Sequence, residues 1–308
     1  MAAETRVAYG ETLAELCKEN KNIVVLDADL SGSTKSGSMK KVDPERFINA
    51  GIAECNMLGM AAGLATSGKT VFASSFAMFA TGRPYEIIRN SICYPQLNVK
   101  VVATHAGLSV GEDGASHQCI EDISLMRSIP NMNVFCPADQ YETKALIKFI
   151  AETDGPCYVR LSRGKVEDSY TADDTFDFYK LKTVKKGSKV LFIATGMMVA
   201  ECKKAAEELK EYGIDPTIVD VCCLKPFDEE GLVNIVKDYD YIYTMEEHSV
   251  IGGLYSTVSE TLTKHCPKKV YPFAVYDIFG ESGKGEEVMK KYGLCASNIV
   301  TVVKEQVK

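Results

Sequence analysis

The sequence predicts an α/β protein of two three-layer domains, one mostly parallel and one smaller. Short apolar runs alternate with helix-length segments over nearly the whole chain, the signature of parallel strands covered by helices. One acidic, polar stretch without either period interrupts the series, so a linker is read at 166–182, between units at 1–165 and 183–308. A chain of 308 residues is long enough for two domains, each with its own core.

In the first unit, Val7, Leu13 and Leu16 share a helical frame over 5–19. The run IVVLDADL at 23–30 reads as a buried strand entering the polar loop SGSTKSGS. A helix from Ile52, with small or apolar residues at nearly every position, is expected to be buried all round. Strands at 69–76, 99–104, 133–136 and 157–161 follow, separated by helices at 84–92, 119–127 and 140–152 and by a Gly-rich loop at 105–118. The second unit repeats the alternation, with strands at 190–195, 217–221, 241–246 and 270–275 and helices at 197–212, 228–237 and after Gly253, then a closing pair of helices. In such sheets binding groups lie beyond the carboxyl ends of the strands, and the loops after Asp27, Ser75 and Thr104 are the richest in polar residues.

Composition removes several classes of function. The apolar fraction is 46% and the charged fraction 25%, and no apolar run is long enough to span a bilayer, so no membrane partner is expected. The first residues lack the continuous apolar core of a signal peptide, and a cytoplasmic location is expected. Eleven cysteines without a CxxC pair read as small buried hydrophobes in a reducing compartment. A net charge of −7 supplies no field for nucleic acid, so an anionic ligand would need a few local cations. GESGKG at 280–285 lacks the first glycine and the final hydroxyl residue of a phosphate loop, and DADLSG at 27–32 lacks the twelfth-position acid of a calcium loop. Both read as turns.

Two stretches carry chemistry. In NAGIAECNMLGMAAGL, 49–64, Glu54 stands without a Lys or Arg inside the run. It is either an acid favoured by a helix dipole or a desolvated carboxyl able to share a proton with a ligand nitrogen. The loop THAGLSVGEDGASHQ, 104–118, holds His105 and His117, two of only four histidines, with Glu112, Asp113 and Gln118. Its glycines let backbone approach a ligand, and its imidazoles can move protons near neutral pH. A metal site would need a third ligand in register, which the loop does not offer, and no metal ligand is assigned to this chain.

These stretches, with SSFAMFATGR and LSRG in the same order and spacing, resemble the C-terminal half of a transketolase over nearly the whole chain. The diphosphate-binding half has no counterpart here. The resemblance therefore implies the pyrimidine-binding and C-terminal domains of a split transketolase. A separate N-terminal subunit would hold Mg2+ (or Ca2+) and the diphosphate of thiamine diphosphate, and two such pairs would form a heterotetramer.

The same resemblance assigns roles. Glu54 would hold the pyrimidine nitrogen and so activate the cofactor, with Phe76, Phe79 and Ile52 lining the pocket and Asp29 near the thiazolium. A third aromatic usual in the family is replaced at Gly82, with Tyr85 as its substitute. His105 and His117 would bond sugar hydroxyls and pass protons, and Asp113 would read a hydroxyl. Arg6, Ser33, Ser162 and Arg163 would clamp the sugar phosphate, since guanidinium pairs and hydroxyls suit a dianion. The implied reaction is transfer of a two-carbon ketol unit between sugar phosphates, in the pentose phosphate pathway. The alternatives are a subunit of a deoxyxylulose-phosphate synthase-like or 2-oxo acid dehydrogenase-like enzyme, or a non-catalytic module of the same fold.

Overall fold

A computed structural model describes residues 2–307. Its strands are β1 (Ala2–Glu4), β2 (Ile23–Asp27), β3 (Phe47–Asn49), β4 (Thr70–Phe76), β5 (Val99–Thr104), β6 (Asn133–Phe135), β7 (Cys157–Arg160), β8 (Lys165–Glu167), β9 (Lys182–Lys185), β10 (Lys189–Ala194), β11 (Thr217–Asp220), β12 (Cys223–Lys225), β13 (Tyr239–Ser249) and β14 (Val270–Val275). The helices are α1 (Thr5–Glu19), α2 (Ser31–Thr34), α3 (Glu54–Thr66), α4 (Ala77–Thr81), α5 (Tyr85–Ile87), α6 (Asp122–Arg127), α7 (Gln140–Glu152), α8 (Met198–Leu209), α9 (Glu229–Val236), α10 (Leu254–His265), α11 (Gly285–Lys291) and α12 (Ala296–Gln306).

The first sheet runs β12-β6-β7-β5-β4-β2-β3, all parallel except β12. Strands β2, β4 and β5 are buried at every position, as central parallel strands covered on both faces must be. The second sheet runs β14-β13-β10-β11-β9, with only β9 antiparallel. The expected layers are present in both units.

Their separation is less complete than the sequence implies. Strand β12, from the second unit, pairs antiparallel with β6 and covers what would otherwise be an open edge of the first sheet. One continuous hydrophobic cluster joins Ala103, Ile123 and Met126 to Leu191, Ile193, Val219 and Leu254, so the two units share a core beside a cluster mostly of the first, around Leu13, Phe72 and Leu146, and one mostly of the second, around Phe192, Tyr243 and Ile299. The stretch read as a linker is packed. Strand β8 pairs with β1, the Tyr170 hydroxyl donates to Asp220 Oδ2 at 2.7 Å, and Phe178 lies in the core against Phe149. Aromatic side chains at 170, 176, 178 and 179 hold a segment whose polar residues suggested a free linker.

Helix α3 begins at Glu54 and is not buried all round: Cys55, Asn56, Gly59 and Gly63 face outward. Glycine adds no apolar side chain, so a run of small residues needs no cover. The helix expected at 84–92 is divided into α5 and a π turn at Ile88–Cys93, with Pro84 just ahead of both.

Candidate active site

The loops beyond β2, β4 and β5 converge. The buried Asp27 organises the first, accepting from Leu30 N at 2.6 Å, Thr34 Oγ1 at 2.7 Å and Ser36 Oγ at 2.8 Å. Burial raises its carboxyl above the usual range, and these bonds oppose the rise. Three non-glycine residues in these loops have positive φ: Asp29 at 64°, Lys35 at 68° and His105 at 57°. Such conformations are costly, and they gather where structure elsewhere holds them for function.

His105 is buried and stacks on Phe76 with ring centroids 3.8 Å apart, while its Nδ1 pairs with Thr104 Oγ1 at 2.8 Å. Burial, followed by the fields of Arg6, Arg163, His117 and Lys35, pushes its pKa down to about 3. The ring is therefore neutral near pH 7, a hydrogen-bonding group and not the ready proton donor the loop composition implied. His117 meets Phe79 edge-on at 5.2 Å and Phe76 at 6.2 Å, and Phe76 and Phe79 lie 6.1 Å apart. The two histidines and two phenylalanines thus form one aromatic cluster.

The second unit braces this loop. Gln118 Nε2 donates to the carbonyls of Leu108, Gly111 and Glu281, and Ser109 N donates to Glu247 Oε1. At Gly107, with φ of 80°, a Cβ would lie 2.3 Å from the Glu247 carboxyl carbon, so only glycine fits. The 280–285 turn, read as a false phosphate loop, packs on Gly111 and Gly114.

Glu54 is 3% exposed, yet its surroundings are not wholly apolar. Arg83 Nη1 donates to Glu54 Oε2 at 2.8 Å, and the Arg83 guanidinium carbon lies 4.5 Å from the centroid of the Phe79 ring. Arg83, and not Tyr85, covers the aromatic pocket; the Tyr85 hydroxyl bonds Ser128 Oγ at 2.9 Å. The sequence showed Arg83 four residues after Phe79, but nothing in that spacing identified its partner.

Around this centre stand the expected clamp residues. Arg6 Nη1 donates to the Ser33 carbonyl at 2.9 Å and pairs with Glu4 at 2.9 Å. Arg163 pairs with Glu112 at 2.6 Å and donates to the Val110 carbonyl, and Ser162 Oγ lies 3.1 Å from Thr5 Oγ1. Lys35, which sequence reasoning missed, is half-buried, and its ammonium has no hydrogen-bond or ion-pair partner among the described residues. It adds a third cation to the field at His105. Asp29 is exposed and held by Asn49, whose Nδ2 donates to Asp29 Oδ1 at 2.8 Å. Asp113 is exposed, and Ile52 is 79% exposed; neither is part of the aromatic cluster.

The family models that match are the transketolase pyrimidine binding domain, at residues 1–168, and the transketolase C-terminal domain, at residues 179–299. A putative transketolase C-terminal section from Methanocaldococcus jannaschii is 53% identical over 306 residues, covering 98% of this chain and 96% of the relative. A 6-deoxy-6-sulfo-D-fructose transketolase subunit from Clostridium sp. is 38% identical over 97% of this chain and 93% of its own length. Among solved structures, a split-gene transketolase described as an inactive beta4 tetramer superposes with a TM-score of 0.90 at 48% identity, covering 99% of this chain and 98% of that one.

Proposed function

The chain belongs to the transketolase family as the C-terminal section of a split enzyme, and we propose that it shares an active site with a separate N-terminal subunit that binds the cofactor's diphosphate. The assembled enzyme moves a two-carbon ketol unit between sugar phosphates, the chemistry of pentose phosphate metabolism, in the cytoplasm. The observation that carries this reading is a buried acid, Glu54, linked through Arg83 to the Phe76, Phe79, His105 and His117 cluster.

An aminopyrimidine needs an acid for its ring nitrogen and an aromatic wall for its face, and Glu54 with Phe76 and Phe79 has that chemistry. Ile52 and Asp29 border the same pocket in this reading. When bound, thiamine diphosphate supplies the electron sink that lets the bond between C2 and C3 of a ketose break. Glu54 holds the cofactor's ring nitrogen. The neutral His105 ring and His117 bond the sugar's hydroxyls, and Asp113 reads a further hydroxyl. Arg6, Ser33, Ser162 and Arg163 hold the phosphate.

The metal, Mg2+ or Ca2+, and the diphosphate belong to the partner subunit. Among the described residues no group of three His, Cys, Asp or Glu side chains could hold a metal ion. The outward face of α3, beside Glu54, supports a partner docked over the site, and the related inactive beta tetramer supports dependence on that partner. Two copies of each subunit make the proposed heterotetramer. No helix among the described residues is long and apolar enough to cross a membrane.

The test is ketol transfer from xylulose 5-phosphate to ribose 5-phosphate, with thiamine diphosphate and magnesium, by this chain alone and with the diphosphate-binding subunit. Activity only in the mixture supports a shared site. Pyruvate consumption with release of carbon dioxide overturns it.

A further inference from the structure

Arg83 performs, at one time, the two contacts an aminopyrimidine makes in such a pocket. Its planar guanidinium donates an N–H to Glu54 Oε2 at 2.8 Å and lies over the face of Phe79 at 4.5 Å. Guanidinium and aminopyrimidine share the features that matter here: both are flat, both meet a carboxyl group through an in-plane nitrogen, and both stack on aromatic faces. Among the described residues Arg83 is the only ion-pair partner of Glu54.

The arginine is also placed to leave. Its side chain is 51% exposed whereas that of Glu54 is 3% exposed, so one partner of the pair is fixed in the protein and the other reaches in from the rim. Arg83 follows the last turn of α4, between Gly82 and Pro84, and belongs to no helix of its own.

We propose that Arg83 is a built-in competitor for the cofactor pocket, occupying Glu54 and the Phe79 face until the aminopyrimidine displaces it. The proposal rests on the reading of Glu54 and Phe79 as the pyrimidine site. Whatever free energy Arg83 gains in the pocket is subtracted from cofactor binding, because the two occupants exclude each other. The residue therefore sets cofactor affinity from outside the reaction: it touches neither sugar nor phosphate, and it must release before the site can be loaded.

The experiment is calorimetric titration of thiamine diphosphate, in excess magnesium, into this chain paired with its diphosphate-binding subunit. The wild type is compared with Arg83→Met and Arg83→Lys, and with Glu54→Gln as the pocket control. Arg83→Met removes the charge and the planar fork, and Arg83→Lys keeps the charge but loses the stack. Both variants are expected to bind more tightly, Arg83→Met by roughly three- to tenfold, the range an ion pair at a half-exposed site with a cation–π contact supports. Thermal melting identifies a variant that has lost its fold, in which case the other decides. Unchanged or weakened binding in the folded variants, with a wild type that binds and a Glu54→Gln that does not, overturns the competitor alone. A wild-type pair that fails to bind, or a Glu54→Gln variant that binds like wild type, overturns the pocket reading and the competitor together.

Discussion

Phe76 and His105 lie nearly parallel, 23° apart with centroids separated by 3.8 Å, and join the end of β4 to the loop after β5. A ring held in this way has one edge buried against Thr104 and little freedom to reorient. Its pKa of about 3 follows from the burial and from the cations around it. In the unliganded chain, His105 is expected to show no titration between about pH 5 and 9 in NMR spectra, while a bound phosphate dianion, by offsetting Arg6, Arg163 and Lys35, raises its pKa. Between the unfolded value near 6.5 and the folded value near 3 the unfolded chain binds the extra proton, so His105 lowers stability as pH falls through that window.

Replacement of Glu54 by Gln keeps the shape of the side chain and removes its ability to pass a proton. Turnover of the assembled enzyme is expected to fall by about 100-fold or more. The melting temperature changes little, because the deserted Arg83 is half exposed and solvates itself, a cost within about 1 kcal/mol. Undiminished turnover removes Glu54 from the chemistry.

Arg163 and Lys35 are expected to separate phosphate binding from the reaction. Arg163→Ala and Lys35→Met each raise KM for sugar phosphates by roughly tenfold, the scale of one charge-assisted contact, and leave kcat nearly unchanged. The effect should vanish with unphosphorylated substrates. Lys35 has the simpler prediction, since its ammonium has no partner to release, whereas Arg163 must give up Glu112. An unchanged KM for sugar phosphates, or an equal rise for phosphorylated and unphosphorylated substrates, in both variants removes the clamp.

A pH-dependent contact lies between the two units. Glu142 on α7 and Asp220 on β11 are both buried, and Asp220 Oδ1 has no donor unless a proton sits between the two carboxyls. Desolvation raises both groups, with the charge of Asp220 adding to the rise at Glu142. An acid whose folded pKa is raised stabilises the fold fully below its unfolded value, near 4, and loses that contribution as pH climbs through the folded value. This pair therefore contributes a fall in melting temperature between pH 5 and pH 8, against the rise that His105 contributes up to about pH 6.5. Asp220→Asn, which still accepts from Tyr170, should remove that fall, so that its melting temperature relative to wild type rises across the window; an unchanged difference sinks the assignment.

Much of this site was legible as residues and little of it as contacts. The loop 104–118 announced itself by rare histidines among glycines, and the structure seats both rings against the two phenylalanines expected of the pocket. Arg83, in a turn, was invisible because its partner lies 29 residues away, at the start of α3. Lys35 was missed because a lysine in a polar loop is ordinarily solvated, and only its fixed loop and lack of a carboxylate mark it out.

The division between sequence and structure follows from range. Alternating apolar periods determined the α/β class and the strands β2, β4, β5, β10 and β11, because a buried parallel strand needs apolar residues at consecutive positions regardless of its neighbours. Three-residue strands such as β3 and β12, the packing of Tyr170 and Phe178, the shared core and the Arg83–Glu54 pair were decided by tertiary structure alone. Each is too short or too polar to carry a period of its own, and gains its stability only from groups brought beside it by the rest of the fold.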